Sequence, residues 1–377
     1  MQLISSTSPS ATMTEDFLPL NGTDHLEFRV GNAKQAAFFY RAAFGMELIA
    51  YRGPETGCRD RASWVVRQGK ICFVFTSALG GDHEIADHVL RHGDGVRDVA
   101  FLVDDAEAAW LAATARGAHS VQAPQTFRDE EGEVRTASIA VYGDVTHSFI
   151  ERQRYTGAFL PGFRACPLPD PLARNAGLRY IDHIVGNVGW GDMNHWVDFY
   201  RDVMGFHLYQ HFDDKQITTE YSSLMSKVMA NGNGRVKVLV NEPARGRRKS
   251  QIEEYLDYYA GPGVQHLAMA TDDIIQTVNT LRDHGVEFIG TPAAYYEGLR
   301  SRVGPIEESF DELARLGILA DRDDEGYLLQ IFTRPVTDRP TLFFEIIQRK
   351  GSRGFGKGNI KALFEAIERE QAARGNL

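Results

Sequence analysis

The sequence predicts an α+β protein made of four similar strand-and-helix units, two in each half of the chain. Its 377 residues suffice for two domains, each with its own core. The chain also repeats itself. A segment from Asp24 reads DHLEFRVGN and then FFYRAAFGMEL, and a segment from Asp182 reads DHIVGNV and then DFYRDVMGFHL. Self-similarity between the two halves indicates a duplicated architecture.

A second pair of segments repeats without a gap. One begins at Val96 and reads VRDVAFLVDDAEAAWLAATARGAHSVQAP, and the other begins at Val264 and reads VQHLAMATDDIIQTVNTLRDHGVEFIGTP. Each opens with the alternating apolar residues of a half-buried strand, continues with apolar residues at helical spacing, and closes with a glycine turn into another strand. Each unit is therefore expected to contain a strand, a helix and further strands.

Composition divides the chain into parts. The Ser/Thr-rich start carries no signal-peptide pattern, and we expect it to be disordered. The proline-rich segment PGFRACPLPDPLARNAG predicts a linker. The final segment has Asn359 as a candidate N-cap and places Ile360, Leu363, Phe364 and Ile367 on one face of a helix. The predicted parts are a disordered N-terminus at 1–20, an N-terminal domain at 21–155, a linker at 156–178, and a C-terminal domain at 179–377 that ends in a helix at 358–372.

Composition and charge exclude several classes of protein. A net charge of −10 argues against a nucleic-acid partner, because phosphate binding requires clustered Lys and Arg. No stretch approaches the roughly 18 consecutive apolar residues of a membrane span. The three cysteines, Cys58, Cys72 and Cys166, form no CxxC pair, which argues against a disulfide framework or a zinc ribbon. These features predict a cytoplasmic protein without nucleic-acid or membrane partners.

Three residues of the second half form a candidate metal site. His183 and His266 open equivalent repeat units, and Glu345 lies in the apolar strand PTLFFEIIQR, where an unpaired carboxylate would be costly. Two histidines and one carboxylate are the ligand set that leaves three positions open on Fe(II). Taken singly, each histidine is more often an ordinary core or surface residue, and a lone Glu is commonly solvated.

The first half offers a corresponding set, His25, Asp98 and Glu151. Glu151 lies in SFIERQR, where a surface ion pair is an easy alternative. The first half also has no counterpart of the glutamine-rich segments of the second. We therefore expect the first domain to be structural and to hold no metal.

Several long segments of the second half resemble the 4-hydroxyphenylpyruvate dioxygenase family. They are IDHIVGNV, TEYSSLMSKV, KSQIEEYLDYYAGPGVQHLAM, ILADRDDEGYLLQIFTRPVTDRPTLFFEIIQR and GFGKGN. The resemblance implies the vicinal-oxygen-chelate fold, in which four βαβββ-type units pair into two open barrels and a C-terminal helix closes the active site. It also implies that His183, His266 and Glu345 bind iron. The substrate-binding positions it implies are Ser226, Asn241, Gln251, Gln265, Gln330, Phe332, Phe343, Phe355, Asn359, Ile360 and Phe364.

The same resemblance implies the chemistry. One Fe(II) per chain would bind the carboxylate and keto oxygens of a 2-oxo acid, with O2 at a remaining position, so that no separate 2-oxoglutarate is needed. The implied reaction converts 4-hydroxyphenylpyruvate and O2 to homogentisate and CO2, a step of tyrosine and phenylalanine catabolism. No catalytic residue is implied beyond the iron site. Family members are often homo-oligomers, so we expect one here.

Two positions depart from the family's usual pattern. Ile360 stands where the dioxygenases usually have Phe, and Leu239 stands where they usually have Pro. Ile360 is typical of the related hydroxymandelate synthases, whereas Asn241 and Phe364 keep the dioxygenase pattern. Hydroxymandelate synthesis from the same substrate is therefore one alternative. An extradiol ring-cleaving dioxygenase and a non-catalytic binding protein of the same fold are two more distant ones.

Overall fold

A computed structural model of the protein describes residues 16–212 and 223–375, apart from the side chains at 212, 223, 224, 360 and 361. Most of the predicted disordered segment, 1–20, lies outside this description. Within residues 16–20, however, Leu18 and Leu20 are fully buried, and the backbone carbonyl of Leu20 accepts hydrogen bonds from Asn231 and Asn233 of the second half. The packed chain therefore begins before residue 21.

The first half contains two βαβββ units joined by a helix. The first unit comprises β1 (Thr23–Arg29), α1 (Ala33–Phe44), β2 (Glu47–Arg52), β3 (Arg61–Gln68) and β4 (Ile71–Ala78). Helix α2 (Glu84–His92) leads to the second unit, which comprises β5 (Gly95–Leu102), α3 (Ala106–Thr114), β6 (Ser120–Asp129), β7 (Gly132–Ala140) and β8 (Thr146–Glu151). The segment predicted as a linker adds a two-residue strand, β9 (Arg164–Ala165), which pairs with β2.

The second half repeats this order with extra helices in its last unit. The third unit comprises β10 (Leu178–Asn187), α4 (Met193–Asp202), β11 (His207–Phe212), β12 (Ser223–Ala230) and β13 (Lys237–Ala244), followed by α5 (Gln251–Tyr259). The fourth comprises β14 (Gly263–Thr271), α6 (Ile274–Asp283), α7 (Leu299–Val303), α8 (Phe310–Leu316), β15 (Leu319–Arg322), β16 (Tyr327–Phe332) and β17 (Phe343–Lys350). Helix α9 (Lys357–Ala373) ends the described chain.

Each half forms one mixed sheet in which its two units meet at their first strands. The strand orders are β6-β7-β8-β5-β1-β4-β3-β2-β9 and β11-β12-β13-β10-β14-β17-β16-β15. The first strands pair antiparallel, β1 with β5 and β10 with β14. Each first strand pairs in parallel with the last strand of its own unit, as in β14 with β17. The prediction of four units paired into two curled sheets is confirmed.

One hydrophobic core joins the two halves. Alternate residues of both sheets and the inner faces of α1, α3, α4 and α6 contribute to a single cluster. Phe344 of β17, for example, packs its ring against Tyr40 and Phe44 of α1, with centroid distances of 5.7 and 5.1 Å. The opposite faces of the sheets carry smaller, separate clusters. Because strand residues alternate between faces, these second faces are free to form sites.

None of the helices among the described residues combines the length and the apolar character needed to cross a bilayer.

Candidate metal centre

Three adjacent strands of the second sheet bring the predicted ligands onto one face. His183 of β10 lies opposite Ala268 of β14, and Ala268 lies opposite Glu345 of β17. His266 lies two residues from Ala268, so it points to the same face. The His183 Nε2 atom is 3.1 Å from the Glu345 Oε2 atom, and the His266 Nε2 atom is 3.6 Å from it. All three side chains are buried.

Irregularities in strand pairing place polar neighbours beside both histidines. The register between β10 and β14 shifts between Ile181 and His183, and again between Val185 and Gly186. The residues left unmatched are Asp182 and Gln265. Such bulges turn a side chain that regular alternation would send to the opposite face. As a result Asp182 and Gln265 reach the neighbouring histidine rings.

These neighbours orient the histidines. Asp182 Oδ1 lies 2.8 Å from His183 Nδ1, and Gln265 Oε1 lies 3.1 Å from His266 Nδ1. Both partner atoms are acceptors, so each Nδ1 carries a proton and donates it, and Nε2 is the nitrogen that faces Glu345. Asp182 is in turn held by Arg349, whose Nε and Nη2 atoms donate to its carboxylate at 2.8 Å each.

The charges of the centre balance one another. Burial would lower the pKa of His183, but the Glu345 and Asp182 carboxylates outweigh it and raise the pKa. Burial lowers the pKa of His266, and Glu345 only partly offsets this. Burial would raise the pKa of Glu345, yet the two histidines keep it below its usual value. The carboxylate is therefore ionised and available as a metal ligand at neutral pH.

A cavity opens directly from this cluster. It encloses about 620 Å³ of empty space, part of which is open to solvent. The structure brings together around it the three ligands and the other positions expected at the substrate site, apart from Ile360, whose side chain lies outside the described residues. These positions are Ser226, Asn241, Gln251, Gln265, Gln330, Phe332, Phe343, Phe355, Asn359 and Phe364.

Sequence reasoning missed two wall residues, Val185 and Leu363, and gave Leu239 attention only as a departure from the family pattern. Both missed residues had a periodic signal. Val185 follows His183 by two positions on a strand, and Leu363 follows Asn359 by four positions on a helix, so each shares a face with a predicted residue.

A chain of side-chain hydrogen bonds links α9 to the Glu345 carboxylate. Tyr295 Oη donates to Asn359 Oδ1 at 2.5 Å, Asn359 Nδ2 donates to Gln330 Oε1 at 3.1 Å, and Gln330 Nε2 donates to Glu345 Oε1 at 3.3 Å. Tyr295 was not predicted, because it lies in a short turn of the long segment between α6 and β15. The closing helix and the candidate ligand are thus mechanically connected.

The first half does not reproduce the ligand set, and one of its predicted positions is wrong. Asp98 is opposite Thr146 on β8 just as His266 is opposite Phe343 on β17. Ser148 lies two residues after Thr146, and Glu345 lies two residues after Phe343. Ser148, not Glu151, therefore corresponds to Glu345. Glu151 instead accepts a hydrogen bond from the backbone of Ala106 at the start of α3, at 3.1 Å. The Gln348 side chain accepts the equivalent hydrogen bond from the backbone N–H of Ile274 at the start of α6, at 2.7 Å.

An aromatic side chain fills the corresponding space in the first half. The ring of Phe159 lies 5.0 Å from that of His25, and the ring of Phe355 lies 5.1 Å from that of His183. Phe159 is 2% exposed and packs among Ile49, Val65, Cys72 and Val74. The first sheet therefore carries a packed core where the second has its cavity.

A curled sheet of paired βαβββ units that holds a buried cluster of two histidines and a glutamate places the chain in the vicinal-oxygen-chelate class. The sequence model of the Glyoxalase/Bleomycin resistance protein/Dioxygenase superfamily matches residues 22–138 and 180–331. Proteins from Yarrowia lipolytica and Dictyostelium discoideum, both named 4-hydroxyphenylpyruvate dioxygenase, are 49% and 50% identical to this chain. The first match covers 98% of this chain and 97% of the relative, and the second covers 95% and 100%. The chain belongs to the 4-hydroxyphenylpyruvate dioxygenase family.

Solved structures agree with this assignment. A triple mutant of 4-hydroxymandelate synthase from Streptomyces coelicolor superposes with a TM-score of 0.84 at 35% identity, covering 94% of this chain and 99% of that one. A fusion protein of a xylose isomerase-like TIM barrel and 4-hydroxyphenylpyruvate dioxygenase superposes with a TM-score of 0.71 at 25% identity, covering 93% of this chain and 53% of the other.

Proposed function

We propose that this protein is an iron-dependent dioxygenase that converts 4-hydroxyphenylpyruvate and O2 to homogentisate and CO2. The observation that carries the proposal is the buried cluster of His183, His266 and Glu345 at one end of a cavity lined by amides and phenyl rings. Relatives about 50% identical over nearly their whole length bear the name of this activity.

The donor set fits Fe(II). Two imidazole nitrogens and a carboxylate on one face are the ligands that non-haem iron oxygenases use, and the remaining coordination positions would face the cavity. When bound, Fe(II) supplies the positions for the 2-oxo acid and O2 and the electrons that activate O2. One Fe(II) per chain is expected at this site, because the corresponding strand positions of the first half carry Asp98 and Ser148 in place of His266 and Glu345. The substrate's own 2-oxo acid group makes separate 2-oxoglutarate unnecessary.

The cavity residues would orient the aromatic part of the substrate. Phe332, Phe343, Phe355 and Phe364 offer apolar walls for a phenyl ring. The polar side chains of the cavity wall, which include Ser226, Asn241 and Gln251, can donate hydrogen bonds to a phenolic hydroxyl and accept hydrogen bonds from it. Among these, Asn241 pairs with Asn187, the last residue of β10, which lies four residues along that strand from His183. A substrate with a 2-oxo acid at one end and a phenol at the other matches this polarity.

Product analysis tests the proposal directly. The chain is loaded with Fe(II) and incubated with 4-hydroxyphenylpyruvate in air. The products are separated by chromatography and identified by mass spectrometry. Homogentisate with one CO2 released per substrate is expected. Oxygen uptake with catechols and none with the 2-oxo acid would instead assign extradiol cleavage. The His183→Ala variant should lose both iron and product while keeping the circular dichroism of the parent.

One alternative product has a specific observation in its favour. The superposition with a hydroxymandelate synthase at 35% identity, together with Ile360, keeps 4-hydroxymandelate as a second candidate. The relatives closest to 50% identity favour the dioxygenase. Hydroxymandelate as the main product would overturn our first choice without affecting the proposed iron site.

We also propose a cytoplasmic location and a homo-oligomeric assembly. The three cysteines are unpaired, which suits a reducing compartment. Light scattering on the purified chain tests the assembly, and a monomer would contradict that part of the proposal.

A further inference from the structure

A second cluster of metal-binding side chains lies in the first half, outside the candidate active site. His88 and His92 are one helical turn apart on α2, and Asp144 lies in the turn between β7 and β8. One ligand atom from each lies within 4.8 Å of the others. Histidines spaced by four residues on a helix share a face, as in helical zinc sites.

His88 has no use in the fold as described. It is 4% exposed, and neither of its ring nitrogens has a hydrogen-bond partner among the described residues. Leaving such groups unsatisfied in the interior is costly, so a buried orphan of this kind requires an explanation. A metal ion would supply the missing partner.

His92 is oriented as a metal ligand would be. Its Nδ1 atom hydrogen-bonds to the backbone carbonyl of Tyr259, which can only accept, so Nδ1 carries a proton. The second nitrogen, Nε2, faces the Asp144 carboxylate at 2.9 Å. A neutral ring would set its Nε2 lone pair against that carboxylate, a conflict that is removed when the ring is protonated or when both atoms bind the same cation. The carbonyl bond at Nδ1 is the arrangement that usually supports a ligating histidine.

The surrounding charges select the kind of ion. Arg29 and Arg97 lie near His88, so the cluster is surrounded by positive as well as negative charge. The same arginines oppose a cation, although Glu84 neutralises Arg29 through an ion pair at 2.9 Å. An ion with high affinity for imidazole nitrogen can overcome this opposition, whereas Mg²⁺ or Ca²⁺, which prefer oxygen ligands, cannot.

We propose that His88, His92 and Asp144 form a second metal site, specific for Zn²⁺ or a similar late divalent ion. Its position indicates a structural role, since His92 also stacks on Tyr259 of α5 at 4.4 Å between ring centroids. A bound ion would therefore fasten α2 and the β7–β8 turn at the junction with the second half. Asp144 is 43% exposed, which gives the ion a route from solvent.

Zinc stoichiometry on the full chain tests the proposal. Chelator-treated protein is dialysed against micromolar Zn²⁺, and the bound metal is measured by elemental analysis. The parent should bind two ions, whereas His88→Ala and His183→Ala should each bind one and the double variant none. A parent that binds one ion, lost entirely in His183→Ala, would overturn the proposal. So would a His88→Ala variant that still binds two.

Two further variants separate metal loss from misfolding. Asp144→Asn changes a partly exposed side chain without altering its shape, and it should also lose one ion. His147→Ala removes another buried histidine of the first half, one that hydrogen-bonds to Tyr200 at 2.9 Å, and it should keep both. The readout is independent of catalysis: Zn²⁺ should raise the thermal midpoint of His183→Ala but not that of the double variant. Equal shifts in both would contradict the site.

Discussion

At the scale of single residues, the side chains behind the candidate metal ligands decide how these candidate ligands point. His183 can present Nε2 to a metal only while its Nδ1 proton is held by Asp182, which is itself fixed by Arg349. Arg349 Nη1 also donates to the carbonyl of Gly354 at 2.5 Å, and the guanidinium lies 5.1 Å from the ring of Phe355. The ligand and the cavity wall are therefore supported by the same arginine.

We expect Asp182→Asn to weaken Fe(II) binding by about 10- to 100-fold, the usual cost of removing an outer-shell partner. The dissociation constant is measured anaerobically by equilibrium dialysis, in chains that also carry Asp144→Asn so that the second site is absent. The first half provides the matched control, because Asp24 contacts His25 and Arg152 at 2.7 Å each. Asp24→Asn should leave Fe(II) affinity unchanged, and equal losses would assign the effect to general destabilisation.

At the scale of elements, the start of α9 depends on a glycine. Gly356 precedes the helix with φ +73°, a conformation that L side chains rarely adopt, and a Cβ atom there would overlap Gln330 Oε1. That oxygen accepts the hydrogen bond from Asn359. Position 356 must therefore be a glycine for the start of α9 to lie this close to Gln330.

We expect Gly356→Ala to lower kcat/KM by on the order of 10- to 100-fold, because a shifted Gln330 would misplace the cavity wall. Gly298 is a matched control, since it also precedes a helix with positive φ, at +77°, but has open space around its Cβ position. Gly298→Ala should cost about 1 kcal/mol of stability and leave kcat/KM unchanged. Steady-state kinetics and chemical unfolding of both variants check this expectation.

The segment between the halves is anchored by one buried ion pair. Asp170 accepts hydrogen bonds from Arg41 of α1 and from the backbone of Leu48 and Leu172. Burial alone would raise the pKa of Asp170, but these hydrogen bonds lower it to about 2. The predicted linker is therefore held against the first domain along part of its length.

We expect Asp170→Asn to reduce the free energy of unfolding by about 2 kcal/mol at neutral pH. Because the folded-state pKa is depressed, this contribution is complete above pH 4, the range of an unfolded aspartate, and disappears as the pH falls toward 2. Unfolding experiments from pH 7 to pH 3 should show the parent and the variant converging. Asp272→Asn, in an exposed ion pair with Arg179, is the control and should change stability little at any pH. A difference as large at pH 3 as at pH 7 would contradict the ion-pair explanation.

At the scale of the whole molecule, duplication has produced two sheets with different tasks. Phe159 and Phe355 occupy corresponding places beside His25 and His183. Phe159 is part of a packed cluster, whereas Phe355 borders the open cavity. The first half thus has a packed cluster in place of the cavity, and it shares a common core with the second half.

We expect Phe159→Ala to lower stability by about 3–5 kcal/mol, because it leaves a cavity in a packed core, with little effect on KM. Phe355→Ala should show the opposite balance, with a smaller loss of stability and a raised KM for 4-hydroxyphenylpyruvate. Denaturant unfolding and steady-state kinetics on both variants provide the comparison. If Phe159→Ala raised KM and Phe355→Ala did not, the two halves would not divide their tasks in this way.

Much of this architecture was readable in the sequence. The repeats around His25 and His183 and around Val96 and Val264 have the periodicities of strands and helices, and those periodicities are local properties of the chain. The same repeats predicted that His183 and His266 are equivalent residues. The apolar strand around Glu345 indicated a buried carboxylate that needs a partner. Fold class and candidate ligands therefore follow from the order of residues.

Other features were settled only by tertiary structure, because they depend on contacts between residues far apart in the chain. Strand register assigned Ser148, not Glu151, to the place of Glu345, and register is set by pairing across the sheet. Contacts across the fold also place the Phe159 ring beside His25 and connect Tyr295 to Asn359. They likewise bring together His88, His92 and Asp144. The residues of the chain supply the chemical groups, and packing selects which of these groups meet, because the distance between two side chains depends on how the whole chain folds.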